Sequence, residues 1–317
     1  MSAPEHIRRE FPAEPADAGR RLDQVAAERW PEFSRSRLAE WIRAGAMRVD
    51  GRAVKPNHRL EPGQKVELDA ELQPHAGNPE AEPMALDVLY QDRECLVIDK
   101  PAGLVVHPGS GNREGTLVSG LLHLDPALEA LPRAGLVHRL DKETSGCLLV
   151  ARTPRAHREL VDALKRRAVH RHYLALVWGQ MIAGGHVDAP LGRHPVDRRQ
   201  QVVRADGRPA VTHYRVERRL AGSTLLRLEL ETGRTHQIRV HMRHINYPIV
   251  GDPVYGRRGS PAGLNEAQRE AWRGFSRQAL HAFRLEFTSP DGQRPVAVES
   301  RLPEDIENLL DILDLNN

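Results

Sequence analysis

Asp141 lies between two cations, Arg139 and Lys142, in the stretch 138–146, which reads His-Arg-Leu-Asp-Lys-Glu-Thr-Ser-Gly. The apolar runs on both sides of this stretch are typical of short buried strands, so we expect the charged residues to lie in a loop at a sheet edge. A carboxylate that a rigid scaffold holds on such a loop can take part in catalysis. The pattern alone also allows a second interpretation, a solvated turn closed by the final Thr-Ser-Gly.

Four segments of the chain follow one another in the order found in a known enzyme family. They are 138–146, Arg-His-Tyr at 171–173, Gly-Arg-Thr-His-Gln-Ile-Arg-Val-His-Met at 233–242 and Gly-Asp-Pro-Val-Tyr-Gly at 251–256. In these segments the chain resembles the RluA family of pseudouridine synthases, which isomerise uridine within RNA to its C5-linked form. The resemblance extends over nearly the whole chain and is strongest for the RluD branch of the family.

The resemblance implies roles for three side chains. Asp141 matches the catalytic aspartate of the family, Arg239 the arginine that pairs with it, and Tyr173 the tyrosine that lies against the target base and assists proton loss at C5. Without the resemblance, we would interpret Tyr173 as a core aromatic of its strand and Arg239 as a surface charge or a phosphate contact. Arg234 competes with Arg239 for the place beside the aspartate.

The reaction that the resemblance implies needs few catalytic groups. Conversion of uridine to pseudouridine requires cleavage of the C1'–N1 bond, rotation of the base and formation of a bond from C1' to C5, without a redox change. A single ionised carboxylate beside C1' and C2' is chemically sufficient as nucleophile or base, so we expect neither a metal nor a cofactor. Desolvation raises the pKa of such a carboxylate, and an arginine that donates two parallel hydrogen bonds lowers it.

The sixteen histidines of the chain raise the alternative of a metal site. His241 and His244 can share one face of a helix, and His170 and His172 can share one face of a strand. Neither pair comes with the carboxylate or cysteine partners that a metal site requires, so we expect contacts to the core or to RNA instead. The sequence contains neither a phosphate-binding loop of the P-loop type nor a dinucleotide-binding fingerprint.

The composition divides the chain into four parts. Residues 1–18 carry three prolines and scattered charge, which predicts a disordered lead-in. Residues 19–72 resemble an S4 domain, a small module that binds structured RNA. A stiff linker with three prolines is predicted at 73–84, and it separates this module from a catalytic domain at 85–317.

The pattern of the S4-like region predicts two short helices followed by a hairpin. Ser34 or Ser36 can cap the second helix, and Asp50-Gly51 is a typical two-residue hairpin turn. Basic residues exceed acidic ones in this region, and a helical cap with a solvated charged face is the alternative to an RNA-binding module. The residues that we predict to contact RNA are Arg35, Arg37 and Arg43.

Several basic residues of the catalytic domain are also candidates for contact with RNA. Arg139 matches the family residue that enters the RNA when the uridine leaves the stack, and a phosphate contact is the alternative. Arg234 is a further candidate. The segment 152–171 holds seven Lys or Arg against two acids, and 193–219 holds eight against three. Either segment alone is compatible with a solvated surface, but two in one domain favour an RNA-facing side.

The order of predicted elements indicates the fold class. Strands outnumber helices and few segments alternate between the two, which predicts an α+β fold with a mixed, mainly antiparallel central sheet. The family resemblance implies the same sheet with a catalytic cleft across it. Thr235 is placed to cap a helix whose Ile238 and Met242 face the core. Residues 256–275 have the composition of a loop-rich insertion, and a closing hairpin is expected around Asp291-Gly292.

The composition excludes several other classes of protein. The chain of 317 residues has a formal charge of +3 and a charged fraction of 28%, and its first residues lack the apolar core of a signal peptide. Its longest uncharged run is too polar to span a membrane. Cys95 and Cys147 lie in apolar, strand-like runs, as buried reduced thiols do. We therefore predict a cytoplasmic protein.

The resemblance to the RluD branch also implies a substrate. The expected partner is 23S rRNA or a precursor of the large ribosomal subunit, and the expected target is the stem-loop that bridges to the small subunit. The alternatives are the same chemistry on other rRNA or tRNA uridines, and a non-catalytic S4-type ribosome-assembly factor. The intact set of Asp141, Tyr173 and Arg239 argues against a non-catalytic factor, and the oligomeric state stays open.

Overall fold

The computed structural model describes residues 5–30, 33, 35–72, 79–108, 114–197 and 199–314. The chain forms two compact units, Met1–Asn78 with Ala127–Ala134, and Pro79–Pro126 with Gly135–Asn317. The change of unit after Asn78 falls inside the predicted linker at 73–84, of which 73–78 lie outside the described residues; the other domain limits stay predictions. No helix in the described ranges is long and apolar enough to cross a membrane.

The N-terminal unit contains a four-stranded antiparallel sheet and two helices. Its elements are β1 (Glu5–Pro12), α1 (Leu22–Arg29), α2 (Arg35–Arg43), β2 (Met47–Val49), β3 (Arg52–Ala53) and β4 (Lys65–Leu72), with the strand order β1-β4-β2-β3. Leu22 of α1 and Leu38 of α2 share a buried cluster with Met47 of the sheet. Asp50 and Gly51 have φ values of 49° and 74°, which confirms the predicted hairpin turn.

Strand β1 contradicts the prediction of a disordered lead-in over residues 1–18. It pairs antiparallel with β4 along its whole length, with Ile7 opposite Ala70 and Phe11 opposite Val66. Ile7 and Phe11 are buried in the core of the unit. The composition of this segment suggests disorder because large apolar residues are few in it. Pairing with β4 supplies the missing stabilisation, which cannot be read from composition. Residues 1–4 lie outside the described part of the chain.

The start of α2 decides between the two predicted capping residues. The helix begins at Arg35, so Ser36 is its second residue and the prediction that Ser36 caps it is wrong. Ser34 lies outside the described residues.

The second unit is built on a nine-stranded sheet. The strands described in this unit are β5 (Asp87–Gln91), β6 (Cys95–Lys100), β7 (Ser145–Ala151), β8 (His170–Trp178), β9 (Gly185–Asp188), β10 (Leu191–Arg193), β11 (Gln201–Val203), β12 (Val211–Leu220), β13 (Ser223–Leu230), β14 (Leu280–Ser289) and β15 (Arg294–Glu299). Strands β10 and β11 form a separate two-stranded hairpin, and the other nine form the sheet. The order is β5-β6-β7-β14-β8-β13-β12-β9, and β15 pairs with β14. Among the described strands only β7 and β14 run parallel. The predicted α+β fold with a mixed, mainly antiparallel sheet is confirmed.

The helices described in this unit are α3 (Leu117–Leu124), α4 (Pro154–Lys165), α5 (Gln237–His244), α6 (Glu266–Gly274) and α7 (Glu304–Ile312). Helix α6 lies inside 256–275, so the prediction of a loop-rich insertion is wrong for that part. Its N-terminus has a capping box between Asn265 and Gln268. The apolar periodicity is weak there because Trp272 is the only large apolar side chain of the helix.

Helix α5 does not have the predicted cap. Thr235 was expected to cap it, but the residue before the helix is His236, whose φ of 55° is left-handed and whose side chain makes no capping hydrogen bond. The helix begins at Gln237, and Ile238 and Met242 are buried as predicted. The contacts of His236, described below, explain why this position holds a histidine rather than a capping residue.

Strand β7 positions the loop that carries Asp141. All seven residues of the strand are buried, and it lies between β6 and β14. Gly146 pairs with Lys100 on one side and with Ala282 on the other. Its φ is 108°, and a Cβ here would lie 2.2 Å from the carbonyl oxygen of Ala282, so only glycine fits. The end of 138–146 is therefore fixed by strand packing.

Candidate active site

Asp141 lies in the loop immediately before β7, and 16% of its side chain is exposed. The backbone nitrogen of Thr144 donates to the carbonyl oxygen of Asp141 at 3.1 Å and closes a turn. The carbonyl oxygen of Lys142 accepts from the backbone nitrogen of Gly103 at 3.0 Å and from Nζ of Lys100 at 2.9 Å. These hydrogen bonds fix the loop from its buried side, so the loop is not a freely solvated turn.

Lys100 is a fully buried cation beneath this loop. Its Nζ donates to the carbonyl oxygens of Pro101, Leu104 and Lys142 at 2.7, 3.0 and 2.9 Å. Burial lowers the pKa of Lys100 to about 7, although the charges of Glu143 and Asp141 act to raise it. Three carbonyl acceptors require three N–H donors, which only the ammonium form supplies. In the sequence, Lys100 stands out only weakly, because it is a single lysine at the end of an apolar strand.

Arg239 on α5 binds Asp141 directly. Its Nη1 donates to Oδ2 of Asp141 at 3.0 Å, while Nε and Nη2 donate to the two carboxylate oxygens of Asp252 at 2.7 and 2.9 Å. Burial lowers the pKa of Arg239, but hydrogen bonds and charges of Asp252 and Asp141 raise it overall above its ordinary value. The competing cation, Arg234, is exposed and donates instead to the carbonyl oxygen of Pro209 at 3.2 Å.

Asp252 has a fully buried side chain that the sequence pattern did not single out. Its Oδ1 accepts from Arg239 and from the backbone nitrogens of Val254 and Tyr255 at 2.9 and 3.0 Å. Burial raises the pKa of Asp252, but the hydrogen bonds and charge of Arg239 lower it below its ordinary value. The carboxylate therefore stays ionised and fixes the guanidinium behind Asp141.

His236 lies on the other side of Asp141. Its Nε2 is 3.9 Å from Oδ1 of Asp141, and its Nδ1 is 2.9 Å from the hydroxyl oxygen of Tyr255. That hydroxyl also accepts from the backbone nitrogen of Gln201 at 2.8 Å. Burial lowers the pKa of His236, and the charge of Arg239 adds to this effect while that of Asp141 opposes it. No sequence pattern assigned a role to this histidine, although it lies inside 233–242.

Tyr173 is a buried residue of β8, opposite Leu228 of β13. Burial raises the pKa of its hydroxyl to about 12. The positive charge of Arg171 lowers this pKa and the negative charge of Asp141 raises it further, so both charges act on the phenol. Tyr173 is therefore a protonated phenol at neutral pH, within electrostatic range of the carboxylate.

Arg139 is exposed in the loop, two residues before Asp141. Its positive charge lowers the pKa of His236, to a smaller extent than burial and the charge of Arg239 do. The role of Arg139 in RNA binding stays a prediction.

The three arginines predicted to contact RNA in the N-terminal unit differ in their surroundings. Arg35 donates to Oδ2 of buried Asp23 through Nε at 3.0 Å and Nη2 at 2.9 Å. Arg37 is buried, with its guanidinium 5.7 Å from the ring centroid of Trp41. Arg43, at the end of α2, is exposed. Arg35 and Arg43 are both exposed, but Arg35 is also paired with Asp23.

One histidine of each pair considered for metal binding has other polar partners. Nδ1 of His241 lies 2.8 Å from Oγ1 of Thr212, and Nε2 lies 3.0 Å from the carbonyl oxygen of Ala189. His170 contacts Glu229 at 3.0 Å. Within the described ranges, no group of three or more His, Cys, Asp or Glu side chains is arranged to hold a metal ion.

Comparison with known proteins identifies the class that this sheet and this site define. Residues 94–244 match the family model described as RNA pseudouridylate synthase, and residues 20–66 match the S4 domain. The structure of human RNA Pseudouridylate Synthase Domain Containing 4 is similar, with a TM-score of 0.57 and 27% identity over 72% of this chain and 92% of that one. The chain belongs to the pseudouridine synthases, the enzymes that isomerise uridine in RNA, and carries an S4 domain.

Curated relatives define the branch of the family. Ribosomal large subunit pseudouridine synthase D of Xanthomonas campestris is 54% identical over 301 residues, which cover 93% of this chain and 89% of that protein. The protein of the same name from Xylella fastidiosa is 52% identical over 296 residues, covering 92% and 88%. The resemblance to the RluD branch is thereby confirmed.

Proposed function

We propose that this enzyme isomerises uridines of 23S rRNA, in the stem-loop that bridges to the small subunit, with Asp141 as nucleophile or base. The observation that carries the proposal is the hydrogen bond from buried Arg239 to Oδ2 of Asp141, in a chain similar throughout to large-subunit synthases D. The partner is the rRNA itself or a precursor of the large subunit, and the site of action is the cytoplasm.

The geometry supports an order of events at the ribose. Arg239 occupies Oδ2 of Asp141, so Oδ1 remains available either to attack C1' or to remove the proton at C2'. In either route the C1'–N1 bond breaks, the base rotates, and a new bond joins C1' to C5. The C5 proton is then lost and N1 gains one, so the RNA is isomerised without net loss or gain. Tyr173, a protonated phenol, lies against the base in this proposal and assists the proton loss at C5 as a relay: its oxygen accepts the C5 proton while its own hydroxyl proton passes to solvent.

Both basic segments carry exposed arginines that form no ion pair within the described residues. In 152–171 these include Arg158 and Arg166, and in 193–219 they include Arg193 and Arg208. We propose that these four arginines, with Arg139 and Arg234, contact the RNA backbone.

Tritium release tests the role of Asp141. The purified enzyme is expected to release tritium from 23S rRNA that carries 5-tritiated uridine, whereas Asp141→Asn is expected to be slower by at least about 1000-fold. Glu143→Gln, at the neighbouring acid of the same loop, is the matched control and is expected to stay active. Undiminished release by Asp141→Asn would remove Asp141 from the mechanism.

The choice of target needs a separate experiment. Pseudouridines are mapped in the 23S rRNA of a strain that lacks this protein and in the same strain complemented with wild type or Asp141→Asn. We expect modifications in the bridging stem-loop to disappear and to return only with wild type. Losses elsewhere in rRNA or tRNA would contradict the target while leaving the chemistry intact.

A further inference from the structure

The two carboxylate oxygens of Asp141 have different neighbours. Oδ2 accepts the hydrogen bond from Arg239 at 3.0 Å, and Oδ1 lies 3.9 Å from Nε2 of His236. A separation of 3.9 Å is too long for a hydrogen bond, but a shift of about 1 Å would bring it into range, and catalytic hydrogen bonds commonly tighten when substrate binds. His236 has no part in the function proposed above.

We propose that His236 is a positioning residue for Asp141. It is neutral, carries its proton on Nε2, and directs that proton at one of the two acceptor sites of Oδ1, while the other acceptor site of Oδ1 remains available to the ribose. The inference rests on the proposed role of Asp141 and deepens it by adding a second donor.

The tautomer follows from the hydrogen bonds on the far side of the imidazole ring. The backbone nitrogen of Gln201 can only donate, and it donates to the hydroxyl oxygen of Tyr255 at 2.8 Å. The hydroxyl of Tyr255 therefore has its own proton to give to Nδ1 of His236, 2.9 Å away. An accepting Nδ1 leaves the proton of a neutral imidazole on Nε2. The opposite tautomer would direct a lone pair at the anionic oxygen of Asp141, which is electrostatically unfavourable.

The charges around the ring favour the neutral form. Burial lowers the pKa of His236; Arg239 and Arg139 lower it further, and Asp141 and Asp252 oppose them. A neutral donor leaves the negative charge on Asp141, whereas an imidazolium would compete with Arg239 and neutralise the reacting group. The site therefore gains a hydrogen bond without losing its anion.

The backbone at His236 provides an independent observation. Its φ of 55° is left-handed, a conformation that glycine adopts at lower cost than a residue with a Cβ. Such conformations concentrate at functional sites, where the surrounding structure maintains them. In this conformation the ring of His236 lies 2.9 Å from the hydroxyl of Tyr255 and 3.9 Å from Oδ1 of Asp141.

The same hydrogen bonds connect the site to the β10–β11 hairpin. Gln201 is the first residue of β11, and the exposed Arg193 pairs with it across the hairpin. RNA that binds Arg193 would therefore also fix the backbone N–H of Gln201, the donor that determines the tautomer of His236.

Nitrogen NMR of the histidine side chains tests the tautomer without reference to activity. In the full-length protein labelled with nitrogen-15, the His236 signals are those that disappear in His236→Asn. At pH 7 we expect a protonated Nε2 and an unprotonated Nδ1. A proton on Nδ1, or on both nitrogens, would overturn the proposal. In Tyr255→Phe we expect the ring to lose its single tautomer. An unchanged spectrum would show that the hydrogen bonds from Gln201 through Tyr255 do not determine the tautomer.

Kinetics test the consequence for Asp141. His236→Asn, which suits the left-handed backbone, is expected to reduce kcat by about 10- to 100-fold, the effect of losing one hydrogen bond to a charged group, with KM changed less than about twofold. His236→Gly controls for the backbone and should lose as much. Wild-type kcat in His236→Gly would overturn the proposal.

The pH profile separates positioning from a structural effect. In Tyr255→Phe, Nδ1 is free to take a proton, so the acid limb of the kcat profile is expected to move to higher pH. In the double variant Tyr255→Phe with His236→Asn, the acid limb due to His236 should be absent. The kcat of this double variant should not fall below that of His236→Asn alone. If Asp141→Asn proved fully active, the proposed function would fail, and the NMR result would still report the tautomer of His236.

Discussion

Asp252 and Asp141 bind the same guanidinium: Arg239 donates two hydrogen bonds to Asp252 and one to Asp141. The buried acid has further donors in the backbone of Val254 and Tyr255, so it is the fixed member of the pair. The orientation of the arginine, and with it that of Oδ2 of Asp141, is therefore determined by a residue that does not face the substrate.

Substitution of Asp252 should affect stability as well as catalysis. Asp252→Asn leaves the buried Arg239 with one carboxylate, and we expect the free energy of unfolding to fall by about 3 kcal/mol. Urea denaturation measures this loss, and tritium release should show a reduced kcat because Arg239 can rotate. Glu299→Gln, at an exposed acid paired with Arg284, is the control and should leave both quantities unchanged. Full stability of Asp252→Asn would contradict the role given to this pair.

Replacement of Arg239 by lysine distinguishes its two interpretations. Lysine keeps the charge but lacks the planar fork that bridges two carboxylates, so we expect kcat to fall by about 100-fold or more while RNA affinity changes little. Filter binding and tritium release on the same rRNA measure the two quantities. Equal losses in affinity and kcat would instead indicate that Arg239 contacts a phosphate.

His281 should contribute a pH dependence to stability. It is fully buried, with Nδ1 3.0 Å from Oγ of Ser145, and burial lowers its pKa to about 4. Between pH 6.5 and 4 the unfolded chain binds a proton at this histidine that the folded chain does not. The folded state therefore loses about 3 kcal/mol of stability as the pH falls through this range, and retains it above pH 6.5.

Unfolding experiments at several pH values check this contribution. The difference in unfolding free energy between wild type and His281→Gln should shrink from pH 7 to pH 4. His123→Gln, at an exposed histidine, should follow the wild-type curve. A difference that stays constant with pH would show that His281 does not titrate in this window.

Two arginines of α2 should respond differently to substitution. Arg43→Ala removes an exposed charge, so we expect weaker RNA binding and a salt dependence whose slope falls by about one unit, with little change in stability. Arg35→Ala breaks the pair with buried Asp23 and should mainly lower the free energy of unfolding. RNA titrations at several salt concentrations, with urea denaturation, separate the two effects. Unchanged RNA affinity in Arg43→Ala would remove Arg43 from the RNA-binding surface.

The sequence predicts those parts of the structure that leave a local pattern. The order of predicted elements led to the mixed sheet of the second unit, and Asp50-Gly51 correctly marked a hairpin turn in the sheet of the N-terminal unit. Strand β1 was missed because its stability comes from pairing with β4, sixty residues away along the chain. The start of α5 was misplaced because His236 adopts a backbone conformation that tertiary contacts impose.

The site was predicted to the extent that its residues match family motifs. Asp141 and Arg239 are in contact, while their catalytic roles stay predictions. Asp252 and His236 lie inside the same motifs, but their roles depend on atoms brought together from separate elements, which residue spacing does not encode. Lys100 was missed because an isolated lysine normally indicates surface, and only the structure shows its three carbonyl acceptors.

The burial of Lys100 also constrains how the enzyme meets its substrate. A loop clamped from beneath by an ammonium group has little freedom to reshape itself around an incoming ribose. The RNA must therefore change its conformation instead: it has to unstack and place its uridine in a rigid site. Sites in rRNA that are already loosely stacked, or not yet folded during subunit assembly, should on this ground be modified fastest.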